Sequence, residues 1–328
     1  MSSTAEGTTA GTSSTKEKPR QSHWIPLEGN PEVFNSWADQ AGLITAHNQF
    51  VDIYGLDEDL LSIIPKPTKA VVLLFPSNSP IKTKQAEQDE KITREGQHLI
   101  DGTLMYVKQY VENACGTIAL IHAIANSEVM YKPASPLQRF ISHCKGMTPE
   151  ERGKLLESTD LFTKIHLDSS ALGQTPQPTN DEDGMNTDLH FTCFVAAPDG
   201  EVRKAAAQRT HTFTVGEPQD TAEGSRSTVI ETTITGSPVQ EPTQTTESPP
   251  PDKPRFATGT STAEGEPLEG MRLIELDGRR PFPIDHGPCT DVLEDTITVV
   301  KKQYLSQVES VYFSLMSFGP APVNSPFH

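Results

Sequence analysis

Residues 109–126 read QYVENACGTIALIHAIAN, and the second half of this stretch decides the architecture. From Gly116 to Asn126 nearly every position is apolar, so a helix built from these residues would have almost no polar side. Such a helix is typical of the centre of a folded domain. The sequence therefore predicts a buried central helix that the rest of the chain must cover.

Helices and strands predicted on both sides of this stretch would cover the central helix. Residues 70–75, AVVLLF, form a short apolar run ended by a proline, which indicates a strand buried on both faces. Further strands are predicted at 190–197 and 271–276, and helices with a proline near their start at 30–41 and 149–157. Together these elements predict an α/β (α+β) fold, an antiparallel sheet flanked by helices.

Other parts of the chain lack any such pattern. Apolar residues make up only 34% of the 328 residues and prolines number 27, so part of the chain cannot bury a core. We expect a disordered amino-terminal tail at 1–22 and a folded domain at 23–319, followed by a short tail at 320–328. A Thr/Pro-rich segment at 201–270 lies between two strand patterns, so we interpret it as a disordered insertion within the domain.

Charge and hydropathy exclude several classes of protein. The chain has 27 basic and 44 acidic residues, a net charge of −17, which disfavours nucleic-acid binding and suits a basic partner. It shows neither an apolar run of about 18 residues nor a signal-peptide pattern, so we expect no membrane span and a cytoplasmic location, with the nucleus as an alternative. Four widely spaced cysteines without a CxxC pair predict no zinc site and no disulfide framework, and we expect no cofactor.

Cys115 is the candidate nucleophile, because it lies where a loop enters the central helix. The unpaired N–H groups and dipole of a helix start stabilise a thiolate. The alternative is a small core cysteine, which position alone favours.

A nucleophilic cysteine needs a base and a group that orients the base. His190 opens one predicted strand and Asp277 closes the next, so antiparallel pairing would bring them to one end of the sheet. The alternatives are a surface histidine and a turn aspartate before glycine. Gln109 is a candidate donor to an oxyanion beside the Cys115 backbone N–H, or simply a polar helix residue.

The segment 109–117, QYVENACGT, with the IALIHAIAN that follows it, resembles the active-site motif of the ubiquitin C-terminal hydrolases, which are papain-like cysteine deubiquitinases. The resemblance covers roughly residues 23–200 and 271–319. The other matching stretches are WIPLEGNPEVFNSWADQ from residue 24, QFVDIYGLDEDLLS from residue 49, MTPEERGKLLE from residue 147, DLHF at 188–191 and ELDGRRPFPIDHG from residue 275.

This resemblance implies a role for each candidate. Cys115 would attack the carbonyl at the end of ubiquitin, His190 would take and return the proton, Asp277 would orient the imidazole, and Gln109 would bind the oxyanion. Asp52 would hold a basic residue of ubiquitin's tail, with a solvated turn acid as the alternative. The resemblance also implies a knotted sheet and names ubiquitin, or a close relative of it, as the partner.

By the same resemblance, residues 167–186 form a crossover loop above the active site. Twenty residues in a ring give a perimeter of about 70 Å and an opening of roughly 20 Å, whereas a folded domain of about 100 residues is roughly 34 Å wide. We therefore expect peptides and small adducts to be released, and large folded conjugates to be excluded.

The chain departs from the compact family members in one respect: its histidine and aspartate candidates lie 87 positions apart instead of roughly fifteen. A flexible closure lengthened about sixfold costs only about 1.5 kcal/mol, so the site can still assemble. The insertion at 201–270 could instead be a regulatory tether or a gene-model error.

Three functions fit these observations. The first is a thiol hydrolase that releases small groups from ubiquitin, in precursor processing and recycling. The others are a ubiquitin-binding reservoir without turnover and a papain-like protease with unrelated substrates. Because nothing indicates an obligate interface, we expect a monomer.

Overall fold

The computed structural model describes residues 24–77, 79–174, 188–204, 270–307 and 312–323. Six strands in these ranges form one antiparallel sheet in the order β1-β6-β2-β3-β4-β5. The strands are β1 Asn48–Asp52, β2 Ala70–Pro76, β3 Leu189–Pro198, β4 Met271–Leu276, β5 Ile284–Pro288 and β6 Ser314–Pro320.

Helices cover both faces of this sheet. Those with defined bounds are α1 Pro31–Ala41, α2 Glu58–Ser62, α3 Ser79–Glu95, α4 Cys115–Ala125, α5 Pro136–His143, α6 Pro149–Ser158, α7 Thr163–Ser170 and α8 Val292–Gln303. Residues 200–204 are also helical. None of the helices described is both long and apolar enough to cross a membrane.

Strand β2 shows how the two layers are built. Its even-numbered residues Ala70 and Val72 belong to the core that contains α4, whereas Val71, Leu73 and Phe75 belong to the core that contains α8. Because successive side chains of a strand point to opposite faces, a strand between two helical layers has to be apolar throughout. The continuous run AVVLLF is explained by this position.

The structure confirms the predicted fold class and its principal elements. The central helix is α4, all of whose residues from Cys115 to Ile124 are buried. The predicted strand pair is β3 and β4, which pair antiparallel with Cys193 opposite Leu276. Both predicted flanking helices are present as α1 and α6, each with a proline in its first turn.

Three elements differ from the sequence-based expectation. Helix α3 was not predicted, because its residues are mostly polar and Ile81 is its one residue in the hydrophobic core. Helix α7 runs to Ser170, so the first residues of the predicted crossover loop at 167–186 are helical. Strand β6 ends at Pro320, one residue beyond the predicted domain end, and the Ala321 N–H bonds the carbonyl of His47 at 3.0 Å.

Several predictions fall outside the described residues. These are the amino-terminal tail, most of the crossover loop at 175–187, the insertion from residue 205 to 269, and the last five residues. The predictions for them, and the knot that the resemblance implies, stay predictions.

Candidate active site

Cys115 is the first residue of α4. The chain reaches it through Asn113, which has a left-handed backbone (φ +59°) that asparagine tolerates better than most residues. At the N-cap position, Ala114 makes no side-chain hydrogen bond to the helix start. The backbone N–H groups of this first turn therefore remain able to stabilise negative charge at the thiol.

His190 and Asp277 meet across the β3–β4 pair. His190 lies near the start of β3 and Asp277 directly follows β4, so antiparallel pairing brings them to the same end of the sheet. The His190 Nε2 atom lies 2.7 Å from the Asp277 Oδ1 atom, and the two side chains are only 3% and 2% exposed. Their separation of 87 positions along the chain does not prevent this contact.

Cys115 and His190 each stabilise the charged form of the other. Burial raises the pKa of the Cys115 thiol, but the interaction with the neighbouring His190 outweighs it and lowers the pKa below its ordinary value. Burial lowers the pKa of His190, but the charge and hydrogen bond of Asp277, together with the neighbouring Cys115, raise it to about 9. These opposite shifts favour a thiolate–imidazolium pair near neutral pH.

Asp277 is itself fixed as a carboxylate. Burial raises the pKa of its carboxyl. The charge and hydrogen bond of His190 and the backbone N–H of Arg279 have the opposite and larger effect, so the pKa lies below its ordinary value. The Arg279 N–H donates to Oδ1 at 2.9 Å, beside the His190 bond. The carboxylate can therefore orient the imidazole and stabilise its positive charge.

Gln109 lies in the irregular segment that leads to α4 and not in a helix, so the alternative of a polar helix residue is wrong. Its Nε2 atom donates to the carbonyl of Val111 at 3.2 Å, which leaves the second hydrogen of the amide for another acceptor. Its Oε1 atom is buried and has no hydrogen-bond partner within the described part of the chain. The Gln109 backbone N–H bonds the carbonyl of Gly278 at 2.9 Å, which ties it to the turn after β4.

Comparison with known proteins identifies the family that uses this arrangement. A family profile described as "Ubiquitin carboxyl-terminal hydrolase, family 1" matches residues 24–235. The chain belongs to this family. It is therefore a cysteine-type hydrolase of the deubiquitinating class.

Individual relatives support the same membership. A probable ubiquitin carboxyl-terminal hydrolase from Dictyostelium discoideum is 33% identical over 306 residues, 92% of this chain and 90% of the relative. The ubiquitin carboxyl-terminal hydrolase 3 of Arabidopsis thaliana is 38% identical over 188 residues, 57% of this chain and 76% of its own. The Aplysia californica ubiquitin carboxyl-terminal hydrolase is 37% identical over 177 residues, 53% and 78% of the two chains.

A solved structure shows the same fold. The Trichinella spiralis UCH37 catalytic domain, crystallised with ubiquitin vinyl methyl ester, matches with a TM-score of 0.52 at 17% identity. The match covers 92% of this chain and 97% of that one.

Asp52 is the one candidate that the structure places apart from the others. It ends β1, and β6 and β2 lie between β1 and the strand that carries His190. Three strand spacings correspond to about 14 Å. The side chain is partly exposed, and burial raises the pKa of its carboxyl.

Sequence reasoning missed His122, which joins three parts of the site. Its Nε2 atom accepts the Val107 N–H at 2.9 Å, and its Nδ1 atom donates to the carbonyl of Leu276 at 3.2 Å. Burial lowers its pKa to about 4, so the ring is neutral and can act as donor and acceptor at once. The available signal was a histidine seven residues after Cys115 in an otherwise apolar helix.

All four cysteines of the chain are free and buried. Within the described ranges, no group of three His, Cys, Asp or Glu side chains is placed to hold a metal ion.

Proposed function

We propose that this protein is a thiol-dependent hydrolase that cleaves small adducts or peptide extensions from the C-terminal glycine of ubiquitin. The observation that carries the proposal is the Cys115–His190–Asp277 arrangement, buried at the start of α4 in a chain of this family. The relatives from Aplysia and Arabidopsis are named ubiquitin carboxyl-terminal hydrolases, and the Trichinella domain was crystallised with a ubiquitin ester.

The first half of the reaction forms an acyl-enzyme. The Cys115 thiolate attacks the carbonyl carbon of ubiquitin's last residue, and the oxyanion that forms accepts N–H bonds from the Cys115 backbone and the Gln109 amide. The bond to the adduct then breaks, and protonated His190 gives its proton to the leaving amine, alcohol or thiol. Asp277 keeps the imidazole oriented and balances its charge during this step.

The second half releases ubiquitin. Neutral His190 removes a proton from a water molecule, which attacks the thioester carbonyl. The carbon–sulfur bond breaks, ubiquitin leaves as a carboxylic acid that loses its remaining proton to solvent, and the thiolate–imidazolium pair is restored. Pairing of Cys115 with His190 in their charged forms supports this cycle, because the nucleophile is ionised before substrate arrives.

Asp52 fits the role of a tail-binding acid in this cycle. It lies about 14 Å from the β3 strand across the sheet, and about four to five extended residues span that distance. A basic residue of ubiquitin's tail, about four to five positions before the cleaved bond, could therefore pair with Asp52 while the cleaved carbonyl lies at Cys115. Its carboxylate is partly exposed and so accessible to a partner.

The decisive experiment is release of a fluorophore attached by an amide to ubiquitin's C-terminus. We expect the full-length protein to release it and Cys115→Ala to release none while still binding ubiquitin, because the nucleophile alone is lost. Cys144→Ala, at a buried cysteine that caps the C-terminus of α5, is the matched control and should keep activity. Binding without release in the wild-type protein would contradict the proposal and indicate the ubiquitin reservoir.

Three finer points belong to the same proposal. We expect a monomer in the cytoplasm, and a preference for small leaving groups over folded conjugates. These expectations rest on the sequence, because residues 175–187 of the expected crossover loop lie outside the described ranges.

A further inference from the structure

The turn that carries Asp277 is bonded to the segment that carries Gln109. The Tyr106 hydroxyl oxygen lies 2.8 Å from the carbonyl oxygen of Asp277 and 2.6 Å from that of Arg280, so its single hydrogen is shared between the two acceptors. The ammonium of Lys108 also donates to the carbonyl of Arg280, and the Gln109 N–H donates to that of Gly278. Residues 106–109 thus bond three carbonyls of the turn 277–280, and the acid and the oxyanion donor belong to one hydrogen-bonded unit.

From this geometry we propose that Tyr106 is a positioning residue: its hydroxyl fixes the turn 277–280 so that the Asp277 carboxylate stays bonded to His190. Its effect on catalysis rests on the proposed hydrolase function, but its effect on the thiol does not require ubiquitin. Tyr106 itself is only 2% exposed, so it acts through Asp277.

Packing against His122 fixes the Tyr106 ring and therefore the direction of its hydroxyl. It stacks on the His122 ring, with centroids 5.6 Å apart and planes at 30°. His122 in turn bonds Val107 and Leu276, the neighbours of Tyr106 and Asp277 along the chain. Burial and the nearby charge of Asp277 raise the pKa of Tyr106, so the hydroxyl keeps its proton and remains a donor.

The other side of the turn is anchored by a different element. The Arg280 guanidinium bonds the Asp89 carboxylate of α3 at 2.6 and 3.1 Å and the Gln88 side chain at 3.0 Å. Arg280 is 4% exposed, so this buried ion pair keeps the turn folded when the Tyr106 hydroxyl is absent. Loss of the hydroxyl should therefore loosen the carboxylate without unfolding the site.

Tyr106→Phe tests the proposal, because it removes the hydroxyl and keeps the ring. With the ubiquitin–fluorophore substrate we expect kcat to fall roughly 3- to 20-fold, the range that one lost hydrogen bond allows. KM should stay unchanged, because Tyr106 lies in the core. Tyr131→Phe is the matched control: it removes a tyrosine hydroxyl that donates to Ile124 at 3.1 Å, at the far end of α4 from Cys115.

A measurement without ubiquitin separates this proposal from the proposed function. The pH dependence of Cys115 alkylation by iodoacetamide reports the thiolate, which the charges of His190 and Arg279 stabilise, while Asp277 stabilises the charge of His190. In Tyr106→Phe we expect half-maximal alkylation at higher pH, because a loosened Asp277 supports the imidazolium less. In Tyr131→Phe the profile should match wild type.

Three outcomes would overturn the proposal: an unchanged alkylation profile in Tyr106→Phe, the same shift in Tyr131→Phe, or a change in KM alone. Incorporation of p-aminophenylalanine at position 106 restores an N–H donor on the same ring, and it should bring the profile and kcat back towards wild type. If wild-type protein released no fluorophore while the alkylation shift was present, the hydrolase function would fail and the positioning role of Tyr106 would stand.

Discussion

At the scale of single residues, the charges of Cys115 and His190 depend on each other. The pKa of the thiol lies below its ordinary value and that of the imidazole is raised to about 9, so both groups are charged in the interval between the two. Below the interval the thiolate is protonated, and above it the imidazolium loses its proton. The two limbs of such a titration belong to the pair and not to either residue.

We therefore expect a bell-shaped pH profile of kcat/KM. Its alkaline limb should fall near pH 9, because the raised pKa of His190 governs loss of the proton given to the leaving group. In Asp277→Asn this limb should move to lower pH, since the carboxylate that raises the pKa is gone. The measurement is fluorophore release from ubiquitin between pH 5 and about 10.5. An alkaline limb near pH 6.5 in the wild-type protein would show that Asp277 does not support the charge of His190.

At the scale of elements, the edge strand β1 is protected by a side chain from α1. The Asn35 Nδ2 atom donates to the carbonyl of Phe50 at 2.9 Å, and its Oδ1 atom accepts the Phe50 N–H at 2.8 Å. Asn35 is only 2% exposed, so water cannot replace these bonds. The contact gives an edge residue both of the partners that a neighbouring strand would supply.

Asn35→Leu should lower the free energy of unfolding by about 2 to 4 kcal/mol, because it leaves a buried N–H and a buried carbonyl unpaired. Chemical denaturation measures this change. The exposed Gln40→Leu on the same helix is the control and should shift stability by less than about 0.5 kcal/mol. A similar small shift for Asn35→Leu would show that β1 keeps its backbone hydrogen bonds without α1.

Some of these elements could be predicted from the sequence and others could not. Apolar continuity found α4 and β2 because both are buried on all sides, and the paired strands β3 and β4 placed His190 and Asp277 together. Helix α3 was missed because it attaches through Ile81 and the polar Asp89–Arg280 pair, which leave no apolar stripe. The contacts of Tyr106 and His122 join segments up to 174 positions apart, and no local pattern carries such information.

At the scale of the whole molecule, the body of the domain holds both ends of the segment 201–270 in place. The Asp199 N–H bonds the carbonyl of Gly270 at 2.8 Å, and its side chain bonds His98 at 2.9 Å and caps the helical residues 200–204. Across the β3–β4 pair, the Arg272 guanidinium lies 3.6 Å from the Asp199 carboxylate, and it also makes a two-point contact with Asp285 of β5 at 2.7 and 3.0 Å. These contacts keep β3 and β4 paired at the end of the strands opposite His190 and Asp277.

Replacement of residues 205–269 by about six Gly/Ser residues should therefore leave kcat/KM within about threefold of wild type. The strand pair is fixed by its own ladder and by Asp199, and a shorter closure lowers the entropy cost of joining its ends by about 1 to 2 kcal/mol. The shortened variant retains residues 200–204, because Arg203 pairs with Asp101 at 2.9 Å. Fluorophore release from ubiquitin and the unfolding midpoint are measured together. Lost activity with an unchanged midpoint would show that the segment acts on the triad directly, as a regulatory tether would.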